Sequence, residues 1–192
     1  MQKSLRLVVF LSCCFLVGCV HINEISPQCV SSRSNEKVFK FKQKHKINVN
    51  VIDGRGLNDP NLIANYDFLA EKIVVVSNRP VSSFIKRVLK EGLAQMNFEI
   101  VDAKKARYLL NCNINNVRVE VRDSFVFVMN IYCYLIDKKS NNIVWQDTIT
   151  SEGVLRERKL FDDVLNDSFC IALTDFVREI QNLKPFRIAL GG

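Results

Sequence analysis

The chain has 192 residues, is 48% hydrophobic and 24% charged, and carries a formal net charge of +7. That length suits one domain that buries its own core without metal or disulfide staples, and the scarcity of glycine (7) and proline (4) argues against a largely disordered chain. The basic balance suits a surface for phosphate-bearing lipid, an acidic polymer or nucleic acid, and equally a merely solvated face.

Lys3 and Arg6 precede Leu7 to Val17, a run of eleven residues without a charge. A membrane-spanning helix needs about 20 apolar residues, so the run has the form of a secretory signal. It ends in Leu16-Val17-Gly18-Cys19, followed by Val20. This stretch resembles the lipobox of bacterial lipoproteins: an aliphatic residue, a tolerant position, a small residue, then cysteine. The resemblance implies cleavage between Gly18 and Cys19, a diacylglycerol on the Cys19 sulfur and an acyl chain on its new amino group. Several acyl chains hold a protein at a membrane more firmly than one. In such lipoproteins an aspartate after the cysteine favours the inner membrane. Val20 therefore implies the periplasmic face of the outer membrane of a diderm bacterium. The alternatives are a plain signal peptide with an incidental cysteine, or processing at Cys13 or Cys14.

Residues 19–36 lack a clear period and are rich in Ser and Asn, as a linker would be. Lys40, Lys42, Lys44 and Lys46 then alternate with Phe39 and Phe41, placing the lysines on one face of an extended chain. Such a stripe suits anionic headgroups or the protection of a sheet edge. Ile47, Val49 and Val51 predict a half-buried strand that turns at Asp53-Gly54-Arg55. Residues 54–71 form a long connection, a length that is often functional. Asp53, Arg55, Tyr66 and Phe68 are its candidate binding residues; a loop packing its own side chains is the alternative.

Ile73 to Ser77 predicts a strand, and Asn78 and Pro80 open a helix. Val81, Phe84, Ile85, Val88, Leu89 and Leu93 form one apolar stripe on it. Asn97 suits the left-handed residue that ends this helix, before a strand at 98–101. Runs at 108–121, 125–137 and 142–151 predict an antiparallel meander, with Trp145 as an anchor. Phe161 to Ile180 has helical spacing, and Pro185 is expected to stop that helix. If Arg122-Asp123 is a two-residue turn, Cys112 faces Cys133; an oxidising compartment would allow a disulfide there, and two packed thiols are the alternative.

The expected architecture is a single α+β domain, a mainly antiparallel twisted sheet with two long helices on one face. The boundaries are a signal peptide at 1–18, a lipidated linker at 19–36, the domain at 37–186 and a tail at 187–192. The lipobox, the strand ending Asp53-Gly54-Arg55, "KIVVVSNRPVSSFIKRVLKEGLAQMNFEIV", "ARYLLNCNI" and "NIVWQDTITSEG" together resemble the YajG-type bacterial lipoprotein family. The resemblance implies envelope location and fold, and it lends no catalytic function.

His21 and His45 are the only histidines, both near the tether. A Ser-His-Asp or Cys-His site on the domain is therefore not expected, nor is a zinc site or a phosphate loop. Asp162 and Asp163 are neighbours at a helix start, a placement that favours the helix dipole over acid–base work. Basic residues are spread out, against nucleic-acid binding. The expectation is a non-enzymatic, periplasm-facing outer-membrane lipoprotein that acts as a binding or assembly module. It has no metal, and no cofactor beyond its acyl chains. Its partners are the membrane and an envelope protein. An accessory lipoprotein of a lipid-transport or peptidoglycan-synthesis complex is the alternative.

Overall fold

A computed structural model describes residues 20–27, 29, 38–68, 71–121, 124–154 and 161–191. Gly18 and Cys19, the expected cleavage and lipidation site, lie outside the described residues. In chain order the elements are β1 (Val20–Ile25), β2 (His45–Asp53), β3 (Leu62–Phe68), β4 (Glu71–Ser77), α1 (Val81–Gln95), β5 (Phe98–Ile100), β6 (Tyr108–Val121), β7 (Phe125–Asp137), β8 (Asn142–Val154), α2 (Phe161–Asn182) and α3 (Lys184–Ala189). They build a single α+β domain with two long helices.

The strands divide into a five-stranded sheet, β5-β2-β6-β7-β8, and a three-stranded sheet, β1-β4-β3. The β6–β7–β8 meander and the β3–β4 pair are antiparallel, as the short turns require. β2 runs parallel to β5 and β6, and β1 runs parallel to β4. Each of those parallel neighbours is reached through a crossover.

Alternation sends Ile47, Val49, Leu110, Ile131, Leu135 and Trp145 to one face of the five-stranded sheet, where all are buried. The apolar stripe of α1 lies against β2 and β5, and α2 lies against β7 and β8. Val81, Phe84, Ile85, Val88, Leu89 and Leu93 are buried as their spacing predicts. The two helices meet where Gly92 has no room for a Cβ beside Val177. There Gln181 Nε2 donates to the Gly92 carbonyl at 2.9 Å. Gly153 likewise lets β8 approach the backbone of α2 at Ser168. Asn97 takes a φ of 74° and ends α1, and its Nδ2 donates to the Phe41 carbonyl at 3.0 Å.

On the opposite face of this sheet Val126 and Val128 are buried, while Ile52 is 56% exposed and Gln146 is exposed. Its rows follow from the register: Asn50, Asn111, Tyr134 and Gln146 lie side by side, then Ile52, Asn113, Tyr132 and Thr148, then Asn116, Asn130 and Thr150.

Four expectations are corrected. The stretch taken as a linker, 19–36, contains β1, six residues hydrogen-bonded along β4 from Val20↔Lys72 to Ile25↔Ser77. Its signal is weak because Val20 and Ile22 point outward, 55% and 70% exposed, while Ile25 points inward. The 54–71 connection contains β3, whose mixed composition (Leu62 to Phe68) hides its pairing with β4. Pro185 sits in the first turn of α3, where its missing N–H costs nothing. The helix break falls at Leu183, so the tail expected at 187–192 begins inside α3, and Phe186 and Leu190 are buried. Finally, the lysine stripe is not one straight strand: β2 begins only at His45.

The β6–β7 hairpin departs from a two-residue turn in two places. Val121 pairs with Phe125, leaving three residues between them, and a register shift falls between Ile114 and Asn116. The two irregularities offset one another, so Cys112 stands opposite Cys133.

Candidate functional site

Asp53 closes β2, and the backbone turns at once through Arg55 and the positive-φ Gly56. This brings the Arg55 guanidinium back onto the Asp53 carboxylate: Nε donates to Oδ1 at 2.8 Å and Nη2 to Oδ2 at 2.6 Å. The remaining arm, Nη1, donates to the Ile63 carbonyl of β3 at 2.9 Å. The Arg55 hydrogen bond is the main cause holding the Asp53 carboxyl below the ordinary carboxylate range, against the opposing effect of burial. The Arg55 side chain is 5% exposed. Two residues proposed from the sequence as ligand contacts are therefore satisfied by each other and by β3. A carboxylate held in this fork acts as a strut between β2 and β3, with little capacity left as a base.

Tyr66 lies further along β3, its ring 5.9 Å from that of Phe125. Burial pushes its phenol up to about 12, so it stays neutral at physiological pH. Its hydroxyl meets no partner among the described residues. Phe68 is the last residue of β3.

A second feature was not foreseen. Cys29 is joined to Cys170 of α2, a pairing across 141 residues, with Cα atoms 5.0 Å apart. Nothing local in the sequence marks this pair; only the parity of the four cysteines beyond Cys19 hints at it. Cys112 and Cys133 are also joined, their Cα atoms 4.2 Å apart. Beside Cys29 opens a shallow cleft of about 440 Å³, lined by Pro27, Asn78, Arg79, Phe84, Arg87 and Glu91 among others. Arg87 lies 5.7 Å above the Phe84 ring and donates to the Pro27 carbonyl at 3.3 Å.

Two ends of the molecule differ. Val20 neighbours Lys72, next to Ile73, which pairs with Tyr66; this end adjoins the β6–β7 turn. The exposed Lys40, Lys42, Lys44 and Lys46 lie where β6 begins, with Arg107 donating its backbone N–H to the Lys46 carbonyl at 3.0 Å. Exposed Lys104, Lys105, Lys138 and Lys139 join them, and Lys138 Nζ donates to the Ala103 carbonyl at 2.7 Å. The 14 residues of β6 separate the two ends, which at about 3.3 Å per residue is roughly 45 Å.

Among the described residues no helix is long and apolar enough to cross a membrane, and no group of three or more His, Cys, Asp or Glu is placed to hold a metal ion.

No family model matches the chain, and no curated protein matches it. Solved structures do. Protein XCC0632 from Xanthomonas campestris, described under the family DUF330, superposes with a TM-score of 0.61 at 11% identity, over 91% of this chain and 100% of its own. At that identity the likeness establishes a shared fold. A lipoprotein from Caulobacter crescentus gives a TM-score of 0.46 at 17% identity, over 76% of this chain and 90% of its own. The minor lipoprotein from Acinetobacter baumannii gives 0.47 at 10%, over 76% and 93%. These two lower scores carry no further weight.

Proposed function

We propose that this chain is a non-enzymatic lipoprotein of the bacterial envelope, anchored through acyl chains on Cys19 at the periplasmic face of the outer membrane, and that it works as a binding or assembly module. One observation carries the proposal: Leu16-Val17-Gly18-Cys19 closes a short apolar run behind Lys3 and Arg6, and a strand begins at the next residue, Val20. A signal segment, a lipidation point and a folded body follow one another without a gap. The kinship with YajG-type lipoproteins belongs to the same proposal.

The geometry of Asp53 and Arg55 supports a non-catalytic reading, since the conspicuous buried charge pair is spent on joining β2 to β3. The alternative role, an accessory lipoprotein of a lipid-transport or peptidoglycan-synthesis complex, is a narrower form of the same module.

The test is fractionation of cells expressing the native chain or Cys19→Ala, with metabolic labelling by radioactive palmitate. The native chain should carry label and sediment with outer membranes. Cys19→Ala should lose the label and leave the membrane fraction. Equal retention of both chains would overturn the anchor.

A further inference from the structure

β1 is the edge strand of the three-stranded sheet, and its side chains alternate between core and exterior. Ile25 points inward and is buried, whereas Val20 and Ile22 point outward, 55% and 70% exposed. The next outward position is the exposed Glu24. The register extends these rows across the sheet: Val20, Lys72 and Asp67; Ile22, Val74 and Asn65; Glu24, Val76 and Leu62. Val74, Val76 and Leu62 are half-buried. An apolar band therefore runs obliquely from Val20 and Ile22 through Val74 and Val76 to Leu62. An edge strand in water commonly carries charge that blocks pairing with another chain. β1 carries aliphatic residues at its first two outward positions and a carboxylate only at the third.

The meaning of that order rests on the Cys19 anchor proposed above. A strand advances about 3.3 Å per residue, which puts Val20 about 3 Å, Ile22 about 10 Å and Glu24 about 17 Å along the chain from Cys19. The headgroup layer of one leaflet is about 5–8 Å thick. A strand leaving an acylated Cys19 obliquely keeps Val20 and Ile22 in that layer and lifts Glu24 above it. The change from aliphatic to carboxylate along one face of β1 thus follows the change from lipid to water. Lys72, exposed beside Val20, stands at the height where an ammonium meets lipid phosphates; Asp67 lies beyond it on β3, the strand farthest from β1 in this sheet. A protein partner calls for aromatic or arginine anchors, and among the described residues the band holds neither.

We propose that the outward face of β1, Val20 and Ile22 with Val74 beside them, is a second membrane contact. It lies in the headgroup layer of the bilayer that holds the acyl chains, and it sets which way the domain leans.

The experiment uses the full-length lipidated protein reconstituted into phosphatidylcholine vesicles, as the native chain, Ile22→Trp and Ile188→Trp. Ile188 is 59% exposed on α3, at the end where Phe186 meets Trp145, and Trp145 is common to all three proteins. The emission added by Ile22→Trp should shift to the blue and be quenched by phosphatidylcholine brominated near the head of its acyl chains. The emission added by Ile188→Trp should do neither. Tryptophan itself favours the interface, so a second arm leaves it out. Val20→Ser with Ile22→Ser, at two exposed positions, should leave Tm unchanged and raise energy transfer from Trp145 to a dansyl-labelled headgroup lipid, because the domain is freed to lean over. Flotation with the vesicles reports the anchor separately. A chain that floats while Ile22→Trp stays unquenched would overturn the proposal and leave the anchor standing; a chain that does not float would overturn both. Unchanged energy transfer in the serine variant would also overturn the proposal. So would cross-linking of β1 to β1 that grows with protein density, since the edge would then belong to a second copy of the chain.

Discussion

His45 begins β2 inside an aromatic cluster, its ring 5.0 Å from Phe41, 5.8 Å from Phe98 and 5.9 Å from Tyr108. Burial first, and the neighbouring Arg107 second, hold its pKa below 6.5. Arg107 is itself bound to Asp137 at 3.1 Å. In the unfolded chain His45 takes up its proton near pH 6.5; in the folded chain it does so only at lower pH. Its contribution is therefore complete above about pH 6.5 and declines as pH falls below that value. Thermal unfolding should show Tm falling between about pH 7.5 and pH 5.5, and His45→Phe should flatten that slope. An equal slope in both proteins would count against this placement of His45. Asp53 acts in a different window: its lowered pKa adds stability that is lost only as pH falls through a value below 3.8.

At the scale of elements, the Cys29–Cys170 bond fastens the segment after β1 to α2. β1 is an edge strand of six residues with a single hydrogen-bonded neighbour, β4, too short to hold itself firmly. A cross-link over so long a loop contributes up to about 3–5 kcal/mol in the chain-entropy model. Protein from an oxidising compartment should take up alkyl groups at Cys29, Cys112, Cys133 and Cys170 only after reduction, as intact mass would show. Cys29→Ser with Cys170→Ser should lower Tm and expose the N-terminal segment to protease. Alkylation of all four without reductant would refute both bonds. The sequence revealed some of these elements and hid others for physical reasons. α1 and the β6–β7–β8 meander were legible because long runs of one period face one core. β1 was hidden because it is short and its outward Val20 and Ile22 are apolar, and β3 because it is short and a register shift between Leu62 and Ala64 breaks its alternation. Asp53 and Arg55 were singled out as candidate binding residues; the fold bonds them to each other and supplies the Ile63 carbonyl that completes the strut. The Cys112–Cys133 alignment followed from a turn one residue too short, offset by a bulge that no sequence pattern announced.

Across the whole molecule, the lysine stripe and the start of β1 lie at opposite ends. The lysine stripe suggested contact with anionic headgroups, yet with Cys19 as the anchor its residues stand roughly 45 Å from the β1 start, along the length of β6. Trp145, the single tryptophan, packs on Phe186 at the lysine end, ring centroids 5.0 Å apart. In vesicles carrying the lipidated protein and a dansyl-labelled headgroup lipid, energy transfer from Trp145 should be weak. Efficient transfer would mean that the lysine end lies on the bilayer. The immediate start of β1 after Cys19 has a further consequence. A lipidated domain with a long spacer can tumble and probe a deep shell of periplasm; with the proposed anchor at Cys19, this one would have no such spacer. Its standoff would be bounded by that short tether, while rotation about the thioether and glyceryl single bonds would leave its heading free of covalent constraint. Any partner would have to meet it within the thickness of one folded domain above the lipid.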